Sequence, residues 1–249
     1  MRKIIFFVIV SIAAQSAYAQ TTKQKDVFEQ VWLGYFNQTR LSDKWGFWFD
    51  GQLRTKDNFF DSLSVAIFRP GLTYYMNDNL KLTLGYAYIN HFPGDNHPDI
   101  SQPEHRIWQQ VQWNTNYSRI RLMQYLRLEE RYRRKIKDAD ELAEGYDFNF
   151  RVRYNFLFQV PLNKKMYNKG GLSFVINDEL HINFGDQIVY NYFDQNRFFT
   201  GFSYFLNTNS NLQFGYLNVF SQLSSGNKYK VINAARIFFF HNLDLRKKQ

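Results

Sequence analysis

Residues 146–160 read YDFNFRVRYNFLFQV, and two kinds of side chain alternate along them. One register is aromatic or aliphatic throughout, while the other includes Asp147, Arg151 and Arg153. A period of two residues is typical of a β-strand with one apolar and one polar face. The run is longer than most strands of soluble proteins, and its length suits a strand that crosses a bilayer at a tilt.

The same alternation returns along most of the chain. Residues 120–132 place Ile120, Leu126 and Leu128 on one face and arginine or glutamate on the other, with Gln124 interrupting the apolar face. Clusters of residues that favour tight turns separate the runs. The short clusters lie at residues 41–44, 77–79, 114–116 and 207–210, and the longer ones at 93–103, 135–145 and 185–195. Alternating short turns and long loops are typical of an outer-membrane β-barrel.

These runs predict an all-β fold, a closed antiparallel transmembrane β-barrel. About eleven strands can be counted between Phe28 and Leu245. Because a closed barrel in which every pair is antiparallel needs an even number of strands, we predict roughly 12 strands, with about 10 as the alternative. No shift in composition marks a boundary between domains.

The composition excludes several other classes of protein. The chain has 249 residues, of which 45% are hydrophobic and 19% aromatic, yet its mean hydropathy is −0.48. Disordered chains are poor in aromatic residues, and helical membrane proteins need apolar runs of about 20 residues, which only the N-terminus approaches. The absence of cysteine excludes disulfide scaffolds and zinc sites built on cysteine.

The first residues have the pattern of a secretory signal peptide. Arg2 and Lys3 precede a short apolar stretch, and the segment AYA at residues 17–19 fits the small-x-small cleavage rule. We therefore predict a signal peptide at residues 1–19 and a barrel at residues 20–249 that is exported to the bacterial outer membrane. An uncleaved membrane anchor is the alternative, although the apolar stretch is short for a span.

The registers alone leave open which face of the barrel meets solvent. In a soluble barrel the apolar register points inward, whereas in a membrane barrel it meets lipid and the polar register lines the lumen. The apolar register here is heavily aromatic, as the interfacial girdles of membrane barrels are, and Arg127, Arg151 and Arg153 lie at strand centres. These features favour the membrane barrel, and a soluble secreted β-barrel that binds a ligand is the alternative.

Several short motifs, in this order, resemble the bacterial outer-membrane family catalogued as domain of unknown function 2490. The motifs are QLR at residues 52–54, LGYAY at 84–88, EHRIWQQ at 104–110, RLEER at 127–131, NDEL at 177–180 and QNR at 195–197. The resemblance covers nearly all of the predicted barrel. It implies a β-barrel of Gram-negative bacteria, and it implies no established activity, substrate or catalytic residue.

On the alternation, a set of charged side chains falls on the inward register. It comprises Arg106, Arg121, Arg127, Glu129, Arg131, Arg151, Arg153, Glu179, His181 and Arg197. One interpretation is a structural network, because a narrow barrel must fill its interior and arginine pairs well with carboxylates. The other is a small-solute pore that attracts anions, because arginine outnumbers acid on this register and charged rings set selectivity. We predict a structural or small-solute barrel without catalysis.

The segment after Tyr88 is the alternative candidate for chemistry. It contains His91, Asp95, His97, Asp99, Ser101, Glu104 and His105. His91, Ser101 and His105 are candidates for a Ser-His-acid hydrolase that acts on lipid, and His91, His97 and His105 are candidates for a metal site. The spacing matches no specific motif, and three prolines favour a rigid polar loop. We therefore expect neither an enzyme nor a bound cofactor.

The basic segment at residues 131–137 is followed by acidic residues. One interpretation is a solvated loop, and the other is a surface that meets the phosphates of lipopolysaccharide. For a barrel in the outer membrane, we expect outer-membrane lipid and lipopolysaccharide as partners. The net charge of +9 also suggests nucleic acid, but the basic residues are spread along strands and no nucleic-acid-binding signature is present. We expect no nucleic-acid partner, and the sequence leaves the oligomeric state open.

Overall fold

The described part of the molecule is built from β-strands. A computed structural model describes residues 23–56, 59–60, 62–94 and 97–246; none of them lies in a helix, and thus no helix among them is long and apolar enough to cross a membrane. The predicted signal peptide and Asp95 lie outside the described residues. The strands are β1 (Gln24–Arg40), β2 (Trp45–Lys56), β3 (Ser62–Tyr75), β4 (Leu80–His91), β5 (Gln102–Tyr117), β6 (Ile120–Ile136), β7 (Leu142–Pro161), β8 (Leu172–Phe184), β9 (Phe193–Phe205), β10 (Ser210–Gln222) and β11 (Lys228–Asp244).

The strands close into one barrel, in which each strand pairs with its neighbour along the chain and β1 completes the ring against β11. Consecutive strands are antiparallel. β1 and β11 run parallel, from Gln24 opposite Lys228 to Arg40 opposite Asp244. The prediction of an all-β closed barrel is confirmed. The prediction of 12 strands, with 10 as the alternative, is wrong, because one parallel pair lets the eleven described strands close.

The two ends of the barrel differ in their connections. β11 ends at what we call the short-turn end, whose connections are residues 41–44, 76–79, 118–119, 162–171 and 206–209. β1 begins at the opposite, long-loop end, whose connections are residues 57–61, 92–101, 137–141, 185–192 and 223–227. Register shifts at Arg54/Thr55, Arg134/Ile136 and His181/Ile182 all lie toward the long-loop end. Bulges are common at barrel rims, where they bend a strand and increase its twist.

One predicted turn is displaced. The cluster NTN at residues 114–116 predicts a turn, but these residues continue β5 to Tyr117. The chain reverses at Ser118 and Arg119, where Ser118 has a positive φ of 52° and Tyr117 pairs with Ile120. Asn and Thr favour turns but are also tolerated near the end of a strand. The cluster therefore predicted the turn slightly before the point where the chain reverses.

The two registers lie on opposite sides of the barrel wall. On β7, Tyr146 and Tyr154 are exposed, whereas Arg151 and Arg153 are only 3% and 5% exposed. On β10, Phe214 is exposed in the same way. The outer surface is therefore largely apolar and aromatic, and the charged side chains fill the interior.

The interior also contains apolar side chains. Trp32, Phe199, Leu217 and Phe238 belong to one buried cluster on the side of the barrel where β1 meets β11. The alternation did not assign these residues to the lumen. The lumen is therefore lined by charged and polar side chains on one side and by aromatic and aliphatic side chains on the other.

A second interior cluster is built around Trp108 on β5. Its indole lies against Gly85, which pairs directly opposite on β4, and Ile89 belongs to the same cluster. A Cβ at Gly85 would lie 2.4 Å from the Trp108 ring and 2.6 Å from the Pro70 carbonyl oxygen. Only glycine leaves room for the indole at this position.

Candidate functional site

The cross-strand register brings opposite charges together inside the barrel. Glu129 on β6 lies directly opposite Arg151 on β7, and Glu179 on β8 lies directly opposite Arg197 on β9. Directly opposite and diagonal side chains on one face of an antiparallel pair are close enough to interact. The register of the strands therefore builds an ion-pair network in the lumen.

Glu104 is fully buried at the centre of one group of cations. Its Oε1 accepts hydrogen bonds from Arg106 Nε at 2.6 Å and from Arg131 Nε at 2.7 Å. Its Oε2 lies 2.8 Å from His91 Nε2 and 3.3 Å from Arg133 Nη2. Charge-assisted bonds of this kind offset the desolvation of a buried carboxylate.

Glu129 forms the second group. Its Oε2 accepts a hydrogen bond from Arg151 Nη2 at 2.5 Å, and its Oε1 accepts one from Arg153 Nη1 at 2.8 Å. Arg151 also donates through Nη1 to Asp194 Oδ2 at 2.8 Å. Each guanidinium here uses its fork of donors on two carboxylates, which fixes the side chains of three strands relative to one another.

Two arginines join the groups into one network. Arg106 reaches Glu129 Oε2 at 3.6 Å in addition to its bond to Glu104. Arg153 donates through Nη2 to Glu179 Oε1 at 2.5 Å in addition to its bond to Glu129. The network therefore runs from β5 to β9 across the interior.

Glu179 closes the network. Its Oε2 lies 2.8 Å from His181 Nε2 and 3.4 Å from Arg197 Nη1, and its Oε1 accepts a hydrogen bond from the Tyr125 hydroxyl. All the acceptor positions of this carboxylate are in use. Glu179 is therefore engaged with groups of the protein itself.

Arg121 is the predicted lumen residue that departs from the network. It lies exposed at the short-turn end, where its guanidinium stacks 3.4 Å from the centre of the Tyr167 ring. Burial raises the pKa of the Tyr167 hydroxyl, and the positive charge of Arg121 opposes that shift. The other predicted lumen residues lie inside the barrel: Arg106, Arg127, Glu129, Arg131, Arg151, Arg153, Glu179, His181 and Arg197.

Three interior arginines are poorly matched with carboxylates. Arg236 donates to Gln213 Oε1 at 2.9 Å and stacks 3.3 Å from the centre of the Phe199 ring. Arg54 stacks 3.6 Å from the centre of the Trp32 ring. Neither forms an ion pair within the described residues.

Arg127 is the third of these arginines. It donates through Nε and Nη2 to Gln110 Oε1 at 2.9 and 2.7 Å, and its Nη1 lies 3.8 Å from Glu129. Arg127 Nη1, Arg236 Nε and Arg54 Nε are buried atoms without a hydrogen-bond partner among the described residues. Sequence reasoning missed Arg54 and Arg236. The signal that could have found Arg54 is its place on one register of β2 with Asp50 and Gln52.

The described residues line two cavities inside the barrel. One has a volume of about 310 Å³ and reaches exposed residues at the short-turn end, including Arg121 and Thr208. The other has a volume of about 150 Å³ and extends toward the long-loop end, where His91 and Arg133 line it. The side chains that line both cavities, and so form the layer between them, are Trp32, Arg69, Arg153 and Arg197.

Residues 29–230 match a family model described as protein of unknown function (DUF2490). The chain belongs to the DUF2490 family. The resemblance seen in the sequence motifs is therefore confirmed, and the match runs from within β1 to the first residues of β11. Membership of DUF2490 assigns no activity to this β-barrel.

One similar protein of the curated collection is an uncharacterized protein of Methylorubrum extorquens. It is 32% identical over 165 residues, which cover 65% of this DUF2490 chain and 65% of the relative. The alignment thus spans a little less than two thirds of that relative's length. No solved structure matches this chain.

The His-rich segment of this DUF2490 barrel does not form one site. His91 points into the lumen toward Glu104, whereas His105 lies on the outer face, with its Nδ1 2.5 Å from the Tyr86 hydroxyl. Ser101 is exposed in the connection before β5. The structure does not bring His91, Ser101 and His105 together, because alternate residues of a strand point to opposite faces.

The metal candidates of the same segment are also separated. His97 stacks against His91, with ring centres 6.0 Å apart, while His105 lies across the barrel wall from both. Among the described residues, no group of three or more His, Asp or Glu side chains is arranged to hold a metal ion. His91 and His97 instead bond to Glu104 and Gln102.

Proposed function

We propose that this protein is an integral β-barrel of the bacterial outer membrane. The observation that carries the proposal is the separation of the two registers, with an apolar outer face around a charged lumen. Leu84, Phe68 and Leu72 on the outer face are 58%, 53% and 52% exposed, while Glu104 is fully buried. Such an outer face would be unfavourable in water and is the surface that lipid covers.

The hydrogen bonding of the outer face supports the same proposal. A closed barrel pairs the backbone groups of its strands, which lipid cannot do for it. Gln124, which interrupts the apolar register, accepts a hydrogen bond from the Tyr154 hydroxyl at 2.6 Å on the outer face. These two polar groups are thus bonded to each other within the protein, as the hydrocarbon core of a bilayer requires.

The aromatic side chains and the connections at the two ends of the barrel support one orientation across the membrane. Exposed aromatic side chains occur near both ends, with Trp45 and Tyr117 toward the short-turn end and Tyr88 and Tyr146 toward the long-loop end. Two aromatic belts of this kind are typical of the two interfaces of a bilayer. We place the short-turn end toward the periplasm and the long-loop end toward the exterior.

Lipopolysaccharide is the partner that we propose for the long-loop end. Lys135 and Lys137 are exposed there and are positioned to meet phosphate groups. Lys137 Nζ is also paired with Glu141 Oε2 at 2.8 Å, so acidic residues of the same connection neutralise part of this basic segment.

Insertion into lipid is the test of this proposal. The chain is expressed with its N-terminal segment, and the outer-membrane fraction is extracted with alkaline carbonate. We expect the protein to stay in the pellet and, when folded into vesicles, to migrate faster on electrophoresis before boiling than after it. Recovery as a folded monomer in the periplasmic fraction without detergent would contradict the proposal and favour the soluble barrel.

A passage for small anions is the second candidate function. Seven arginines but four carboxylates are buried among the described residues; they are Arg69, Arg106, Arg127, Arg131, Arg151, Arg153 and Arg236, against Asp50, Glu104, Glu129 and Glu179. Excess fixed positive charge in a pore favours anions. The layer between the two cavities narrows this passage, so currents should be small.

Planar-bilayer recording tests the passage. In a gradient of potassium chloride we expect small current steps with a reversal potential of the sign that chloride selectivity gives. Arg69→Ala, which thins the layer between the cavities, should raise the conductance. Absence of current from both the parent protein and this variant would show that the barrel is purely structural.

A further inference from the structure

The larger cavity has two unlike walls. Trp32, Phe36 and Trp48 line one side, from β1 and β2, while Arg127 and Asn155 line the opposite side, from β6 and β7. Its volume of about 310 Å³ lies at the lower end of the range for small-molecule sites. A cavity built in this way suits a ligand that has both an apolar part and a polar part.

One face of β11 carries both polar and apolar side chains of the cavity wall, one after another along the strand. Arg236, Phe238, Phe240 and Asn242 follow one another at a spacing of two residues, and all four line the cavity. Alternate residues of a strand share a face. The sequence of side chains from the interior to the short-turn end is therefore a cation, two phenyl rings and an amide.

Three side chains that line this cavity carry donors without acceptors. Arg236 Nε, Arg127 Nη1 and Gln159 Nε2 are buried, have no hydrogen-bond partner among the described residues, and belong to side chains of the cavity lining. Burial of an unbonded donor on a guanidinium is unfavourable. An acceptor supplied by a ligand would remove that cost.

The charge around the cavity indicates the sign of the ligand. Six arginines line it and one carboxylate does; the arginines are Arg69, Arg121, Arg127, Arg153, Arg197 and Arg236, and the carboxylate is Glu179. Glu179 is already bonded to Arg153, His181 and Tyr125. The positive charge of Arg236 is therefore not neutralised by any described carboxylate in an ion pair.

We propose that this cavity binds an aromatic carboxylate, which enters from the short-turn end with its carboxylate first. Arg236 receives the carboxylate, since charge-assisted bonds from a guanidinium to a carboxylate are among the strongest available. Phe238 and Phe240 contact the ring of the ligand behind it. The inference rests on the proposed anion-favouring lumen and names the class of solute for it.

Calorimetric titration of the folded full chain in micelles tests the ligand class, with empty micelles as the baseline. The probes are 2-naphthoate, the neutral 2-naphthamide of nearly the same shape, and inorganic phosphate. We expect naphthoate to bind at least about tenfold more tightly than naphthamide, since a charge pair in a desolvated site is worth more than 1.4 kcal/mol. Equal affinities for the two, or phosphate competing as well as naphthoate, would overturn the proposal.

Matched variants locate the site. Arg236→Gln should remove most of the preference for naphthoate, whereas Arg54→Gln should keep it, because Arg54 is equally unpaired but lines only the smaller cavity. Phe240→Ala, near the mouth, should weaken naphthoate binding by about tenfold. An unchanged preference in Arg236→Gln would contradict this assignment; should that variant not fold, an unchanged affinity for naphthoate in Phe240→Ala would contradict it.

Failure of this inference is distinguishable from failure of the proposed function. Chloride-selective current without naphthoate binding would leave the passage standing and overturn the ligand site. A chain that does not insert into vesicles would contradict the outer-membrane barrel whatever naphthoate does.

Discussion

Arg153 and Arg236 occupy two regions of one lumen and differ in what surrounds them. Both side chains are nearly completely buried, at 5% and 6% exposure. Arg153 lies in the ion-pair network, between Glu129 and Glu179 at 2.8 and 2.5 Å. Arg236 lies beside the larger cavity, with Gln213 and an aromatic ring as its partners.

The register of the strands explains this difference. Arg153 has Arg127 and His181 directly opposite, so Glu129 and Glu179 are its diagonal neighbours. Arg236 has Gly215 opposite on β10 and Trp32 opposite on β1, and neither neighbour offers a carboxylate. Both arginines are equally buried, but Arg153 is bonded within the ion-pair network, whereas Arg236 keeps a donor without a partner among the described residues.

The largest expected effect is loss of stability when the network is broken. Arg153→Gln leaves Glu129 and Glu179 short of a buried cation, and we expect it to lower the free energy of unfolding by about 3–5 kcal/mol. Urea unfolding from lipid vesicles, followed by tryptophan fluorescence, measures the change. A loss below about 1 kcal/mol would show that the network contributes little to stability.

A smaller loss is expected where the wall beside the network is closely packed. Gly85→Ala places a methyl group against the Trp108 ring and the Pro70 carbonyl, and should cost about 1–3 kcal/mol in the same assay. Gly51→Ala is the matched control, because its nearest neighbour would be an ordinary contact at 3.7 Å. Equal losses in the two variants would mean that the close packing around Trp108 is not what limits substitution.

Exchange of arginine for glutamine should be tolerated beside the larger cavity, although it is not tolerated in the ion-pair network. Arg236→Gln removes an unpaired buried charge and keeps a side chain that can bond to Gln213, so we expect a change of stability within about 1 kcal/mol. The comparison with Arg153→Gln in identical vesicles is the measurement. Equal destabilisation by the two exchanges would contradict the division of the lumen into a paired and an unpaired region.

The smallest effect is expected at an exposed pair outside the lumen. Arg40 Nη1 lies 2.6 Å from Asp78 Oδ1 in the connection between β3 and β4, and the hydrogen bond to Arg40 lowers the pKa of Asp78 below its usual 3.8. Since the folded-state pKa is lowered, the stabilisation is complete above about pH 4 and is lost as the pH falls through the lower folded value.

Asp78→Asn should therefore differ slightly from the parent protein at pH 6 and not at all at strongly acidic pH. Melting temperatures of both proteins at each pH measure this. A difference that grows on acidification would contradict the assigned direction of the pKa shift.

The sequence predicted much of this fold for a simple physical reason. Alternation along β7 separates Tyr154 from Arg153 whatever the rest of the chain does, because the period of a strand is two residues. The same argument placed Glu129 and His181 on the inward register. The distances from Glu129 and His181 to their partners depend on the cross-strand register. The pattern of a single strand does not predict that register.

Other features lay beyond a reading of single strands. The first strand, β1, pairs in parallel with the last strand, β11, and no local sequence pattern predicts this pairing. On β11, Phe238, Phe239 and Phe240 are consecutive, so alternation could not choose the lumen face. For this reason the aromatic wall of the cavity, and Arg236 beside it, were found only in the structure.

A spin-label scan along β10 in lipid vesicles tests the central claim most directly. The chain has no cysteine, so single cysteines introduced at Leu212, Phe214, Gln213 and Val219 can each be labelled alone, with Lys44 in a short turn as the exposed reference. We predict that labels at Leu212 and Phe214 collide with oxygen and are protected from a polar nickel reagent, while labels at Gln213 and Val219 are poorly accessible to oxygen. Outward labels that meet the nickel reagent as freely as the label at Lys44 would contradict a lipid-facing outer surface.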